Sequence, residues 1–336
     1  LQTLALGFAP EWLRELPGFE LPSTPAPAPR PPRPLSNPEV QRRPLGKTGL
    51  KVAPLGISGR YEPTPGMLFR AREAGVNLFF WEPSYESLTR FLRNSRAYRD
   101  DLVIAAGSYH ADPAHLALDV ERALKRLGTD HLDVFLLYWV RSPQRLSDEA
   151  FDCLSNLKQK GLIRSFGFST HFRELAAQAI AERAWDVVML RHSAAHPGAE
   201  AGFLPLAAER QVGVLTFSNL CYGRLLRTSP HMSSRPKAAD CYRYSLSQPG
   251  VSACLSAPGF GRELTENLAV LDCPTLQGPA IEALRLHGRW VHAQSRQFNA
   301  WVRQAGRPAL SAAGDALQAL LLEAEQEARE TVAASS

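Results

Sequence analysis

The sequence predicts a (β/α)8 barrel, and three observations carry that prediction. Eight short β-branched or aliphatic runs follow one another from about Val52, segments of helical period separate them, and no Gly-x-Gly-x-x-Gly turn follows the first run. The last point weighs against a doubly wound open sheet, the competing α/β architecture, whose first strand feeds a glycine-rich phosphate turn. The runs are Val52–Ile57, Asn77–Trp81, Leu102–Ala106, Val134–Tyr138, Ser165–Phe168, Val187–Leu190, Gly213–Phe217 and Ala253–Ser256. Eight β/α units in roughly 230 residues suit a barrel of this kind, often called a TIM barrel.

Between the runs, His115–Leu127, Asp148–Lys160 with Ser147 as its cap, and Arg173–Ala184 are long enough for crossover helices. Beyond Gly278 come two further helical stretches, Ile281–Gln304 and Ser311–Thr331. The second places Leu317, Leu320, Leu321 and Ala324 at helical spacing, which is a packing face. At the other end, nine prolines between Pro17 and Pro38 remove amide donors and fix φ, giving extended linker chain. Upstream, Pro10–Leu16 offers an amphipathic turn or two bearing Trp12, Leu13 and Leu16, either a docking element for a protein partner or the remnant of a preceding domain. The expected division is an N-terminal arm and Pro-rich linker over residues 1–41, the barrel over 42–277 and a C-terminal helical extension over 278–336.

Composition narrows the function classes. With 45% hydrophobic and 21% charged residues the 336-residue chain is of soluble globular type, and no apolar run approaches the roughly 18 residues of a membrane span. The five cysteines are scattered, without the two-residue spacing of a zinc or redox pair, and no secretion pattern opens the chain, so a cytoplasmic location is expected. The net charge of +5 is dispersed, with no basic run interleaved with aromatics, so no nucleic-acid partner is expected.

A barrel's active site is built from the C-terminal strand ends and the loops that follow them. Those positions hold Phe80, Trp81 and Tyr85; Gly107, Tyr109 and His110; Tyr138, Trp139 and Arg141; Ser169, Thr170 and His171; Arg191, His192 and His196; and Phe217 and Ser218. The mouth is aromatic and basic. Glu82 is the one acidic residue of the early loops, which argues against paired-carboxylate glycoside chemistry. His171, His192 and His196 offer no evident fourth ligand, so no metal is expected.

From Arg42 to Leu271 the chain resembles the aldo-keto reductases. The resemblance rests on Leu45-Gly-Lys-Thr-Gly-Leu-Lys-Val-Ala-Pro-Leu-Gly56, Gly75-Val-Asn-Leu-Phe79, Leu132-Asp-Val-Phe-Leu-Leu137, Gly161-Leu-Ile-Arg-Ser-Phe-Gly-Phe-Ser169, Leu246-Ser-Gln-Pro-Gly-Val251 and Glu266-Asn267, in that order. It implies reduction of a small carbonyl compound by hydride from NADPH. A tyrosine acts as general acid, a lysine lowers its pKa, an aspartate pairs with the lysine and a histidine orients the substrate. Carried onto this sequence, the tyrosine falls on Tyr85, but the aspartate position is Phe80, the lysine position Gly107 and the histidine position Tyr138. Without an ammonium beside it, a phenol of ordinary pKa near 10 is a poor acid at neutral pH. The reading is therefore a catalytically weak or inactive relative, a pseudoenzyme. The alternative is an active oxidoreductase with a relocated acid such as Tyr138 or His110.

The resemblance likewise marks the NADP(H) site. The residues that hold the nicotinamide amide fall on Ser169, Thr170 and Met189, with Phe217 as the stacking aromatic and Ser218 beside it. Arg262, Glu266 and Asn267 belong to the adenosine end, where Gly259 occupies the position of the lysine often seen toward the 2′-phosphate. Threonine can make one hydrogen bond where asparagine offers paired amide groups, and methionine offers essentially none.

Overall fold

The structure is a computed structural model that describes residues 40–232 and 234–296. The Pro-rich linker, the Pro10–Leu16 turn and the Ser311–Thr331 helix therefore lie outside the described residues. Among the described residues, a small hairpin, β1 (Arg43–Pro44) and β2 (Lys51–Val52), precedes eight barrel strands. These are β3 (Leu55–Ser58), β4 (Leu78–Phe80), β5 (Val103–Ser108), β6 (Leu132–Val140), β7 (Ile163–Thr170), β8 (Val187–Arg191), β9 (Gly213–Phe217) and β10 (Val251–Ser256). All eight pair in parallel with their neighbours, and β10 closes on β3 to complete the barrel.

The helices alternate with the strands: α1 (Pro65–Glu73), α2 (Glu86–Asn94), α3 (Pro113–Leu127), α4 (Asp148–Gln159), α5 (Arg173–Glu182), α6 (Phe203–Glu209), α7 (Ala238–Leu246) and α8 (Gly261–Leu268). Local sequence sets their ends. Asp112 and Ser147 each place a side-chain oxygen on a first-turn amide, His115 and Ala150 respectively, and Gly128 closes α3 in the left-handed region. A further helix, α9, runs over residues 279–296. No helix among the described residues is long and apolar enough to cross a membrane.

Strands buried on both faces read as continuous apolar runs rather than alternating ones, because helices cover the outside and packed side chains fill the inside. The outer layer is densest around Trp185, whose ring meets Phe151, Phe166 and Phe168 edge to face at 5.1–5.7 Å.

The hairpin caps the N-terminal end of the barrel. Gly46 adopts φ +55°, and a Cβ there would overlap the Gln211 carbonyl and the Gly213 amide, so glycine is required where the turn touches β9. Lys47 donates its backbone amide to the Gln211 carbonyl at 2.8 Å, and the Asn77 side chain bridges the Ala53 amide and the Lys51 carbonyl. At the same end Asp133 is fully buried, ion-paired to Arg99 and Arg164 at 2.8 and 3.1 Å, and accepts from the Ile104 amide.

At the opposite end α9 lies on the loops that follow β8 and β9. Leu284 and Val291 pack with Ala194, Ala195, Leu225 and Tyr244 in a second apolar cluster. A Cβ on Gly288 would overlap the Ala194 carbonyl, so that residue lets helix and loop backbones meet. His287 is fully buried, its ring nitrogens bonded to Ser229 Oγ and the Leu225 carbonyl.

Candidate functional site

Tyr85 opens α2 at the end of the β4 loop and is buried against Gly59, where a Cβ would run into its ring. Its hydroxyl sits in a cluster with Glu82, Ser58 and Arg60. Burial, and then the Glu82 carboxylate, push the Tyr85 phenol above its ordinary pKa, while Ser58 and Arg60 pull the other way more weakly. Burial raises Glu82 itself, and Tyr109 is raised by burial and by Glu82. Tyr138 is pushed well up by complete burial, with Glu82, Tyr85 and Tyr109 adding to it. Burial and then the Glu82 carboxylate thus make each phenol a weaker acid, and the Arg60 guanidinium only partly offsets this at Tyr85 and Tyr109.

The space beside Tyr85 is filled by aromatic rings. Tyr138 projects from β6, donates its hydroxyl to the Trp81 carbonyl at 3.2 Å and packs on Phe80 and Tyr109 with ring centres 5.5 and 5.2 Å away. It lies across Gly107, where a Cβ would come within 2.6 Å of the Tyr138 ring and would overlap the Leu136 carbonyl. Glycine on β5 and tyrosine on β6 therefore form one packing unit. The structure brings Tyr85 and Tyr138 together but not His110, which turns to α3, where its Nδ1 lies 2.8 Å from Asp119 and its ring stacks on His115.

The polar groups after β7 are already occupied. Ser169 Oγ accepts from the Trp139 amide at 2.8 Å; Thr170 Oγ1 donates to the Val140 carbonyl and accepts from the Phe172 amide. Both residues are buried, as is Met189 on β8. Phe217 ends β9 with the His171 ring edge-on at 5.1 Å, and Ser218 follows it at φ +56°. At the far end Glu266 accepts from the Ala238 amide that begins α7, Asn267 is buried and donates to Ser256, and Arg262 is exposed. Among the described residues Ser169 has no acceptor for its hydroxyl hydrogen, whereas Thr170 both donates and accepts and Met189 offers no donor, so this set keeps one donor for a nicotinamide amide but not the paired groups an asparagine would offer.

Two features went unread in the sequence. Around His192, Glu200 forms a buried network in which it accepts from Tyr244, pairs with Arg285 of α9 and lies 3.2 Å from the His192 ring, while Ser245 holds the other ring nitrogen. The long spacing of these residues hid that juxtaposition. The other is a bulge in β6 between Leu137 and Val140, where Trp139 adopts φ +52° and stands 55% exposed at the mouth with Arg141 over its ring. Among the described residues no group of three or more metal-ligating side chains is gathered.

The comparisons with known proteins agree with this barrel. Residues 66–253 match the model of the Aldo/keto reductase family. An aldo-keto reductase of Mycobacterium avium is 27% identical over 70% of this chain and 84% of its own. The L-glyceraldehyde 3-phosphate reductase of Escherichia coli is 24% identical over 62% of this chain and 70% of its own length. Among solved structures, the holo form of a Bacillus halodurans aldo-keto reductase superposes with TM-score 0.65 at 19% identity, over 74% of this chain and 96% of that one. A putative aldo-keto reductase of Pseudomonas aeruginosa gives 0.57 at 26% identity, over 72% and 95%.

Proposed function

Since the chain belongs to the aldo-keto reductase family, we propose that it keeps the family's barrel and its ligand-binding mouth while having lost most or all of the NADPH-dependent carbonyl reduction. The observation that carries this reading is the environment of Tyr85, the one residue of the family's four that remains: the family's lysine and aspartate positions, Gly107 and Phe80, are packed by the Tyr138 ring, and burial, then Glu82, raise the phenol's pKa against the weaker pull of Arg60. General acid catalysis contributes about 10²–10⁴-fold, so a phenol working against its neighbour leaves a trace activity at most.

The cofactor positions support the same reading. Ser169 accepts from the β6 backbone, Thr170 spends its hydroxyl on β6 and on the Phe172 amide, Met189 offers no donor, and His171 packs on Phe217. At the exposed end Arg262 is the cation that could meet an adenosine phosphate group, while Glu266, which accepts from the Ala238 amide, could only accept from a ribose or adenine donor, so any binding of NADP(H) rests chiefly on Arg262. A relocated acid is disfavoured because complete burial also raises the Tyr138 phenol, whose hydroxyl is given to the Trp81 carbonyl, and because His110 faces α3.

The deciding experiment is an NADPH titration followed by turnover with a panel of aldehydes and ketones. Background turnover is expected. Robust NADPH-dependent reduction, abolished by Tyr85→Phe, would overturn the reading and show that another group does the lysine's work.

A further inference from the structure

The stretch of the mouth from the end of β6 round to β9 carries two arginines with no carboxylate partner among the described residues. Arg191 ends β8, two residues beyond Met189 and so on the same side of the strand, and pairs in register with Phe217 of β9. Arg141 follows the β6 bulge, its guanidinium 5.9 Å from the Trp139 ring centre; that ring lies 6.5 Å from His171, which in turn lies 5.1 Å from Phe217. Arg141, Trp139, His171, Phe217 and Arg191 thus form a continuous arc across the ends of four neighbouring strands. Among the described residues no Asp or Glu comes within ion-pairing distance of the exposed Arg141 or the half-buried Arg191, whereas Arg99 and Arg285 each have such a partner.

Local charge agrees with the geometry. His171 is held below its ordinary pKa by burial first and then by Arg191 and Arg141, so both guanidinium groups face it. His196 is driven down to about 4 by burial, then by Arg191 and His292, with His192 and His171 behind them. The groups that face Arg191 from the loops after β7, β8 and β9 are therefore His171, His196 and Cys221, none of them a fixed anion. A cationic nicotinamide ring would be repelled here; an oxyanion would be attracted by two guanidinium groups beside an apolar platform. The left-handed backbone at Trp139 is costly for so bulky a residue, and the bulge that imposes it presents both Trp139 and Arg141 to the mouth.

We propose that the barrel mouth is a binding site for a small organic oxyanion, a carboxylate or a phosphate, attracted by Arg141 and Arg191 at the two ends of the arc with its apolar body against Trp139 and Phe217. The inference rests on the reading that the mouth binds a ligand, and it supplies that ligand's class.

The test is calorimetric titration of the full chain at low ionic strength with inorganic phosphate, acetate and benzoate, with Trp139 fluorescence followed in parallel. Phosphate against acetate distinguishes the two headgroups, and benzoate against acetate tests the platform. At least one anion is expected to bind with a millimolar or tighter constant that weakens about tenfold or more in Arg191→Gln and in Arg141→Gln. Arg191→Lys should regain part of the loss, since a point charge replaces the fork. Arg122→Gln, which removes one positive charge from exposed α3, should bind as the parent does. Equal melting temperatures for the variants show that folding is not the cause. Absence of binding by all three anions, or binding unchanged in an Arg141→Gln/Arg191→Gln double variant, overturns the inference. NADPH turnover is measured on the same preparation: anion binding alongside robust turnover sinks the pseudoenzyme reading alone, and neither binding nor turnover sinks the oxyanion site alone.

Discussion

At the N-terminal face of the barrel Asp133 and Asp186 are buried with their cations beside them, whereas at the C-terminal face Arg141 and Arg191 have no carboxylate partner among the described residues. The first arrangement lets charge enter a barrel as part of the scaffold: Asp133 joins β5, β6 and β7 through Ile104, Arg99 and Arg164, and Asp186 ties Lys158 of α4 to the Phe166 amide. The second leaves charge available to something outside the chain. The comparison teaches that the two faces answer to different demands, fold integrity at one and ligand chemistry at the other, as barrel architecture allows.

The comparison can be broken first where it predicts the largest effect. Asp133→Ala leaves Arg99 and Arg164 without their buried partner and the Ile104 amide without its acceptor, so a loss of about 3–5 kcal/mol in urea unfolding is expected. A loss under about 1 kcal/mol would mean that the N-terminal face is not the stabilising one. Next in size is Gly46→Ala, which puts a Cβ against β9 at a left-handed φ; about 1–3 kcal/mol should go, again by unfolding.

His196 gives the C-terminal face its own pH signature. Its folded pKa, about 4, lies below the unfolded value near 6.5, so the unfolded chain binds more protons between those limits. The stability linked to neutral His196 is complete above about pH 6.5 and is lost as the pH falls toward 4. His196→Gln should flatten this part of a stability–pH curve by on the order of 1 kcal/mol after allowing for partial exposure, and an unchanged slope would remove His196 from the account. The smallest effect belongs to Tyr85→Phe, expected to alter trace carbonyl turnover by less than about twofold, because a phenol beside Glu82 is already a poor acid.

Much of the fold was legible in the sequence. Each apolar run overlaps one of β3–β10, with Gly213–Phe217 matching β9 end to end and the first run starting early, at Val52 of β2, because a strand buried on both faces leaves an unbroken apolar run. Ser147 was readable as a cap because capping chemistry is local. The N-terminal hairpin was not recognised as a plug, since only the contact with β9 explains why Gly46 is glycine. At the site, Tyr85 and Tyr138 were identifiable from strand ends, but that Ser169 and Thr170 bond backbone depended on loop paths that no spacing reveals. Arg191 had a signal that was passed over: two residues beyond Met189 on a strand is the same face. The β6 bulge had none, since the Trp139–Val140–Arg141 stretch reads like ordinary strand.

The packing of Tyr138 over Gly107 also sets the order in which this site's history could be retraced. A lysine returning to position 107 meets the tyrosine ring and the Leu136 carbonyl, and with Phe80 opposite it would have no counter-charge. Tyr138 would have to shrink first, toward histidine, and β5 and β6 would have to part slightly before the lysine could enter; aspartate at Phe80 gains its purpose last. Each of those steps alone leaves a void, a clash or an unpaired charge.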